Sequence, residues 1–180
     1  MHANSDARWP TATRKEAHEH GLWHRSVGLW LFTKDGRVAI QRRSLFKDTN
    51  PGKWQKSVAG HVSSGQSVFD AVLNEAREEL GTELERDDVE FIAALPLIGR
   101  GATPRFGKYV DKEYKFIFMC MIEERNFDFN PDEVSAVEFR LLHDVFEKFM
   151  SGDSEFCPMS HEYIEIVQEA ISRRLDQLRT

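Results

Sequence analysis

The chain has 180 residues, of which 41% are apolar and 30% charged, and a net charge of −6. That is the composition of an ordinary folded domain, long enough for one substantial core. The acid excess excludes a general nucleic-acid binder, which needs a basic face to release counterions; a small, locally basic phosphate site is still allowed.

Two cysteines make no disulfide framework. Cys120, in an apolar run, is expected buried, and Cys157, before Pro158, in a loop, both reduced. No apolar run approaches membrane-spanning length. The first residues, MHANSDARWPTATRKEAHEHG, lack the apolar middle of a secretory signal, so a cytoplasmic location is expected.

In chain order, Met1 to Thr13 is polar and reads as a loose arm. Residues 1–20 are taken as that arm and 21–180 as a single domain. Arg14 to His20 is rich in charge; His18 and His20 are expected as solvated imidazoles beside a strand entrance rather than as a metal cluster with His24. Ser26 to Thr33 and Arg37 to Arg43 flank Lys34-Asp35-Gly36, a hairpin signal. Arg42 and Arg43 end the second strand, one on each face. They either hold a diphosphate through paired hydrogen bonds or form a plain surface pair. Asn50-Pro51-Gly52 marks a turn. Trp54 is expected in the core rather than at a pocket mouth. Lys56 to Val62 reads as a short strand delivering Gly60, where a backbone carbonyl could approach a cation or phosphate closely.

The stretch Gly60 to Thr82, GHVSSGQSVFDAVLNEAREELGT, runs from a glycine-marked loop into a helix. Phe69, Val72, Leu73, Ala76 and Leu80 form an apolar stripe. Ser67 with Asp70 three residues on is an N-terminal cap, and Gly81 a C-terminal one. Glu75, Glu78 and Glu79 share one face, expected off the buried stripe and open to a cleft or to solvent. Like charges at this spacing repel. The face is either simply solvated or neutralised by a hard cation such as Mg²⁺.

Beyond it, Glu83 to Asp88 reads as charged loop and Val89 to Ile98 as a strand. Gly99 to Gly107 (GRGATPRFG) is the candidate mobile substrate loop, with Arg100 and Arg105 able to meet phosphates or merely to connect. Tyr114 to Glu123 is the strongest strand, and Val134 to Leu141 alternates as another. His143 to Met150 reads as a short helix. Ser160 caps a final one, whose packing stripe is Tyr163, Ile164, Val167, Ala170, Ile171 and Leu175. Strands interleaved with helices predict an α/β fold, a mixed sheet packed between helices.

Gly60 to Thr82 resembles the Nudix box, G, five residues, E, seven residues, R-E-U-x-E-E-x-G-U, where U is aliphatic. Gly60, Glu75, Ala76, Glu78, Glu79 and Gly81 fit it; Gln66 stands for its first glutamate and Asn74 for its arginine, and Thr82 is a soft departure at the end. The runs WHRSVGLWLF, QRRS and PGKWQKSVAGHV extend the resemblance to the isopentenyl-diphosphate-isomerase-like branch of that superfamily. It implies a Nudix-type α/β/α sandwich with a mixed β-sheet, and Mg²⁺ (or Mn²⁺) held by Glu75, Glu78, Glu79 and Gly60. Arg42, Arg43, Lys53 and His61 become candidate substrate contacts. A second metal site is implied at His24, His61 and Glu113, with Asp111 the weaker positional match. Glu138 falls near where many members keep a further acid, though a solvent-side strand position accounts for it too. The implied partner is a small-molecule diphosphate; a homodimer is compatible.

This branch holds isomerases and hydrolases. The isomerase cysteine directly precedes the glycine-histidine pair, and here that residue is Ala59, which has no proton to give. The expected activity is therefore metal-dependent hydrolysis of a diphosphate linkage in a nucleoside diphosphate derivative or similar small molecule. The alternatives are isomerisation of a prenyl diphosphate, and a diphosphate-binding module weakened in catalysis by Gln66 and Asn74.

Overall fold

The structure, a computed structural model, describes residues 11–103 and 107–179. Its first element was not expected. Thr13 caps α1 (Arg14–His20) with a reciprocal capping box: its side chain accepts from the Glu16 N–H, and the Glu16 carboxylate accepts from the Thr13 N–H. This helix packs on the sheet and buries His18, so Arg14 to His20 is part of the folded body rather than arm, and His18 is not solvated.

Next come β1 (Trp23–Phe32), β2 (Arg37–Arg43), β3 (Trp54–Gln55), β4 (Val58–His61) and α2 (Val68–Leu80). A 3-10 turn at Arg86–Asp88 leads into β5 (Val89–Thr103), followed by β6 (Gly107–Met121), β7 (Val134–Leu141), α3 (Leu142–Met150) and α4 (His161–Gln177). Gly99 to Thr103, expected as loop, is strand: Gly99 pairs with Asp111 and Thr103 with Gly107, extending a long antiparallel hairpin. Arg105 lies outside the described residues.

One seven-stranded sheet runs β3-β2-β1-β6-β5, with β4 added to β1 and β7 to β2. It is mixed, because β1 and β6 are parallel and the other pairings antiparallel. Side chains alternate across a strand, so β1 feeds two cores. Val27, Leu29 and Leu31 pack with Val58, Phe118 and the α2 stripe Val72, Ala76 and Leu80. Trp30 and Phe32 pack on the other side with Trp54 and the apolar faces of α3 and α4. The result is an α/β/α sandwich. Both cysteines are buried, including Cys157; burial pushes both thiols up, Cys120 to about 11. Among the described residues no helix is long and apolar enough to cross a membrane.

Candidate functional site

Strand β4 carries the site because its two faces look into different surroundings. Val58 packs in the α2-side core, and a Cβ on Gly60 would lie 1.9 Å from the Glu75 carboxyl carbon. Gly60 therefore opens the space that Glu75 occupies on the α2 face. Alternation turns Ala59 and His61 to the α4 face.

On the α2 face, Ser67 caps the helix by accepting from the Asp70 N–H, and Gly81 closes it at φ +61°. Asp128 sits so near Gly81 that a Cβ there would lie 2.4 Å from its carbonyl oxygen. The three glutamates differ in setting. Glu78 is exposed and Glu75 half-buried. Glu79 is only 4% exposed, contrary to the expectation of an open face. Its Oε2 accepts from Gln41 Nε2 at 2.7 Å and from the Ala59 N–H at 3.0 Å. That fixes the carboxylate and leaves Oε1 for another partner. Burial pushes Glu79 up to about 7 despite those two bonds. Burial also pushes Glu75 up to about 8, with Glu79, Glu78 and Glu133 adding repulsion and Lys47 opposing.

Glu133 and Lys47 were missed from the sequence. They are ion-paired to each other, and both act on Glu75 and Glu79. Nothing local marks them, since they reach the acids from separate connections. Glu138 is exposed on β7 and bound to Arg140 at 2.8 Å, the solvent-side strand position expected of it. Among the described residues no salt bridge neutralises Glu75, Glu78 or Glu79. Carboxylates crowded without a salt bridge of their own among the described residues, with one oxygen of Glu79 uncommitted and Gly60 clearing the space, form a donor set suited to a hard divalent ion.

The two departures from the box are explained locally. Gln66 accepts from the Ser63 N–H at 3.0 Å and so shapes the loop before the helix. The Asn74 side-chain oxygen accepts from Arg77 at 3.4 Å, so Arg77 is engaged with Asn74. Arg42 and Arg43 face their own loop: Arg42 Nε donates to the Gly52 carbonyl at 2.8 Å, and Arg43 Nε to the Thr49 carbonyl at 2.9 Å. They brace the segment carrying Lys47, with Arg43 also donating to Gln55 Oε1 and to the Thr49 hydroxyl. Lys53 is half-buried in the same turn. Arg100 lies along the β5–β6 hairpin, paired in register with Val110.

The α4 face holds a second constellation. His24 and His61 rings lie 5.1 Å apart, and His18 stands 5.4 Å and 5.9 Å from them. Asp111 Oδ1 is 3.2 Å from His24 Nε2, and Glu113 Oε1 is 3.7 Å from His61 Nε2. Both acids are thus brought in, as is His18, expected as a solvated imidazole rather than in a metal cluster with His24. One ligand atom from each of His18, His24 and His61 falls within 4.8 Å of the others, and the same holds for His24, Asp111 and Glu113. Burial holds the His61 imidazole down to about 3, leaving it neutral with a lone pair to offer. Burial opposes the proton on His24, but the Asp111 and Leu22 contacts outweigh it and raise that group. Burial likewise works against ionised Glu113, yet Lys115, 3.1 Å away, holds it down at about 2. Neutral imidazoles with carboxylates suit a transition metal better than Mg²⁺.

Residues 22–159 match the NUDIX domain family, and the chain belongs to that family. Relatives are of two kinds. The chain is 31% identical over 145 residues to Nudix hydrolase 3 of Arabidopsis thaliana, covering 78% of this chain but 18% of that protein. It is 37% identical over 152 residues to an isopentenyl-diphosphate Delta-isomerase of Salmonella arizonae, covering 83% of this chain and 80% of that one. These place it in the isomerase-like branch. Its fold is similar to that of the NUDIX domain of Shewanella oneidensis NrtR, solved with ADP ribose, at TM-score 0.61 and 17% identity, covering 83% of this chain and 88% of that one.

Proposed function

We propose that the protein hydrolyses a phosphoanhydride bond in a small diphosphate, a nucleoside diphosphate derivative being the favoured class, with a divalent cation at Glu75, Glu78 and Glu79. The observation that carries this is Glu75 lying in the space that Gly60 clears, crowded by Glu79, Glu78 and Glu133 and with no salt bridge of its own among the described residues. When bound, the ion supplies charge neutralisation for the diphosphate and a more acidic water. Glu79, held by Gln41 and the Ala59 N–H, presents Oε1 in a fixed direction. Among the described residues Glu75 has no hydrogen-bond partner, and its affinity for a proton is raised, so it is the group suited to take one from the attacking water. Lys47 is the nearby ammonium that can turn from Glu133 to a phosphate oxygen.

The isomerase reading has one observation in its favour, the histidine–carboxylate constellation on the α4 face. Ala59 stands against it, because the position directly before Gly60-His61 then carries no thiol. A panel of nucleotide, dinucleotide, sugar and prenyl diphosphates with Mg²⁺ or Mn²⁺, read by phosphate and pyrophosphate release, tests the choice. Hydrolysis of at least one member is expected, with Glu75→Gln and Glu79→Gln each lowering kcat by roughly 100-fold or more. Either variant at near-parent rate overturns the assignment. Deuterium entering the allylic product from isopentenyl diphosphate in deuterated water would establish the isomerase instead, and tight ligand binding without any release would establish a binding module.

A further inference from the structure

Lys56 is a buried lysine that the hydrolytic site does not use. It sits between β3 and β4 and is 7% exposed. Its stem crosses β1 at Gly28, where a Cβ would lie 2.7 Å from Lys56 Cε and 3.1 Å from the Tyr163 hydroxyl. The middle of a fully buried strand is a poor place for glycine, and the space it clears is filled by this side chain. The ammonium stands 5.6 Å from the Tyr163 ring centroid. Among the described residues it has no carboxylate within ion-pair distance and donates no hydrogen bond. Burial pushes the amine down to about 7, with Lys115 the strongest charge acting on it and Glu113 opposing.

Lys115 is also 7% exposed and is already matched to Glu113 at 3.1 Å. The floor between the two lysines is made of small side chains. Ser26 and Gly28 pair in register with His61 and Ala59 on one side, and with Lys115 and Ile117 on the other. His61, 36% exposed in its side chain, forms the open wall. With Lys115 balanced by Glu113 and His24 set against Asp111, Lys56 in its protonated form is a positive charge with no carboxylate matched to it among the described residues. A lone buried ammonium is unfavourable unless paired and hydrogen-bonded, so the recess is a place where an anion gains more than on an open surface.

We infer that this recess is an oxyanion-binding site on the opposite sheet face from the box glutamates, in which Lys56 holds a single negatively charged phosphate or carboxylate group. It needs no divalent ion, because its counter-charge is the protein's own ammonium. It therefore stands or falls separately from the hydrolytic reading.

The test uses the full chain stripped of metal with EDTA, titrated calorimetrically with orthophosphate in one arm and acetate in the other. Saturable binding of one or both is expected, and the arm that binds more tightly identifies the group. Lys56→Met keeps the stem and should weaken binding at least about tenfold. Glu75→Gln should retain it while losing hydrolysis. Independently of any variant, the Nζ resonance of Lys56 in ¹⁵N-lysine-labelled protein should shift on adding the anion. Unchanged binding in Lys56→Met, a Lys56 resonance indifferent to both anions, or binding only when Mg²⁺ is restored would each overturn the site.

Discussion

Glu75 and Glu79 are carboxyls whose folded-state affinity for a proton exceeds the ordinary value of 4.5, reaching about 8 and about 7. In metal-free protein the folded state then binds more protons than the unfolded chain between pH 4.5 and about 8. Stability attributable to these groups is full below 4.5 and falls as pH rises through that window. Other groups slope the opposite way: His61, held down to about 3, opposes protonation below its ordinary 6.5. The informative quantity is accordingly the difference between parent and Glu75→Gln. Urea unfolding in EDTA should show the parent losing stability relative to the variant from pH 5 to pH 8, and Mg²⁺ should remove that trend. A pH-independent difference would mean that Glu75 is not crowded by its neighbours. Legibility at this scale was uneven. Glu75, Glu78 and Glu79 could be named because helical spacing sets them on one face. That Glu79 lies buried could not, since its donors Gln41 and Ala59 come from β2 and β4.

At the scale of elements, α2 is the piece whose sequence speaks for itself: Ser67, the apolar stripe and Gly81 are local signals, and each does its expected work. The signal for α1 was equally local, since Thr13 and Glu16 have capping-box spacing, but seven residues are too few to show an apolar period. Gly99 to Thr103 misled for the reverse reason. Gly, Arg and Pro speak for a loop, whereas pairing with Gly107 to Asp111 across the hairpin made it strand. The β4–α2 junction yields the prediction at this scale. Gly60→Ala places a methyl where the Glu75 carboxyl lies, but the collision is with the far end of a flexible side chain, so the carboxyl moves and the backbone stays. Phosphate release should fall by roughly 100-fold, with Tm changing little. A variant that keeps its rate would show that Glu75 need not sit over Gly60; one that unfolds would show that the strand, rather than the side chain, had to give.

Across the whole molecule, one sheet separates two clusters of candidate metal-donor side chains that share β4. Gly60 serves the acidic face and His61 the histidine face, one residue apart and pointing oppositely. The sequence showed both sets of residues, yet only the pairing of β4 with β1, and of β1 with β6, shows that the sheet lies between them and that Lys56, Lys115 and Glu133 belong to the two sides. The donor types differ as well, carboxylates on one side and imidazoles on the other, so the two faces should sort ions by hardness. A ligand that binds only the folded state raises Tm in proportion to the logarithm of its saturation. Metal-stripped protein should therefore show two thermal shifts, one with Mg²⁺ and one with Zn²⁺. Glu75→Gln with Glu79→Gln should abolish the Mg²⁺ shift and leave the Zn²⁺ shift, while His24→Ala with His61→Ala should do the opposite. If either pair removed both shifts, the ions would occupy one shared site, and the division of the sheet into two working faces would be wrong.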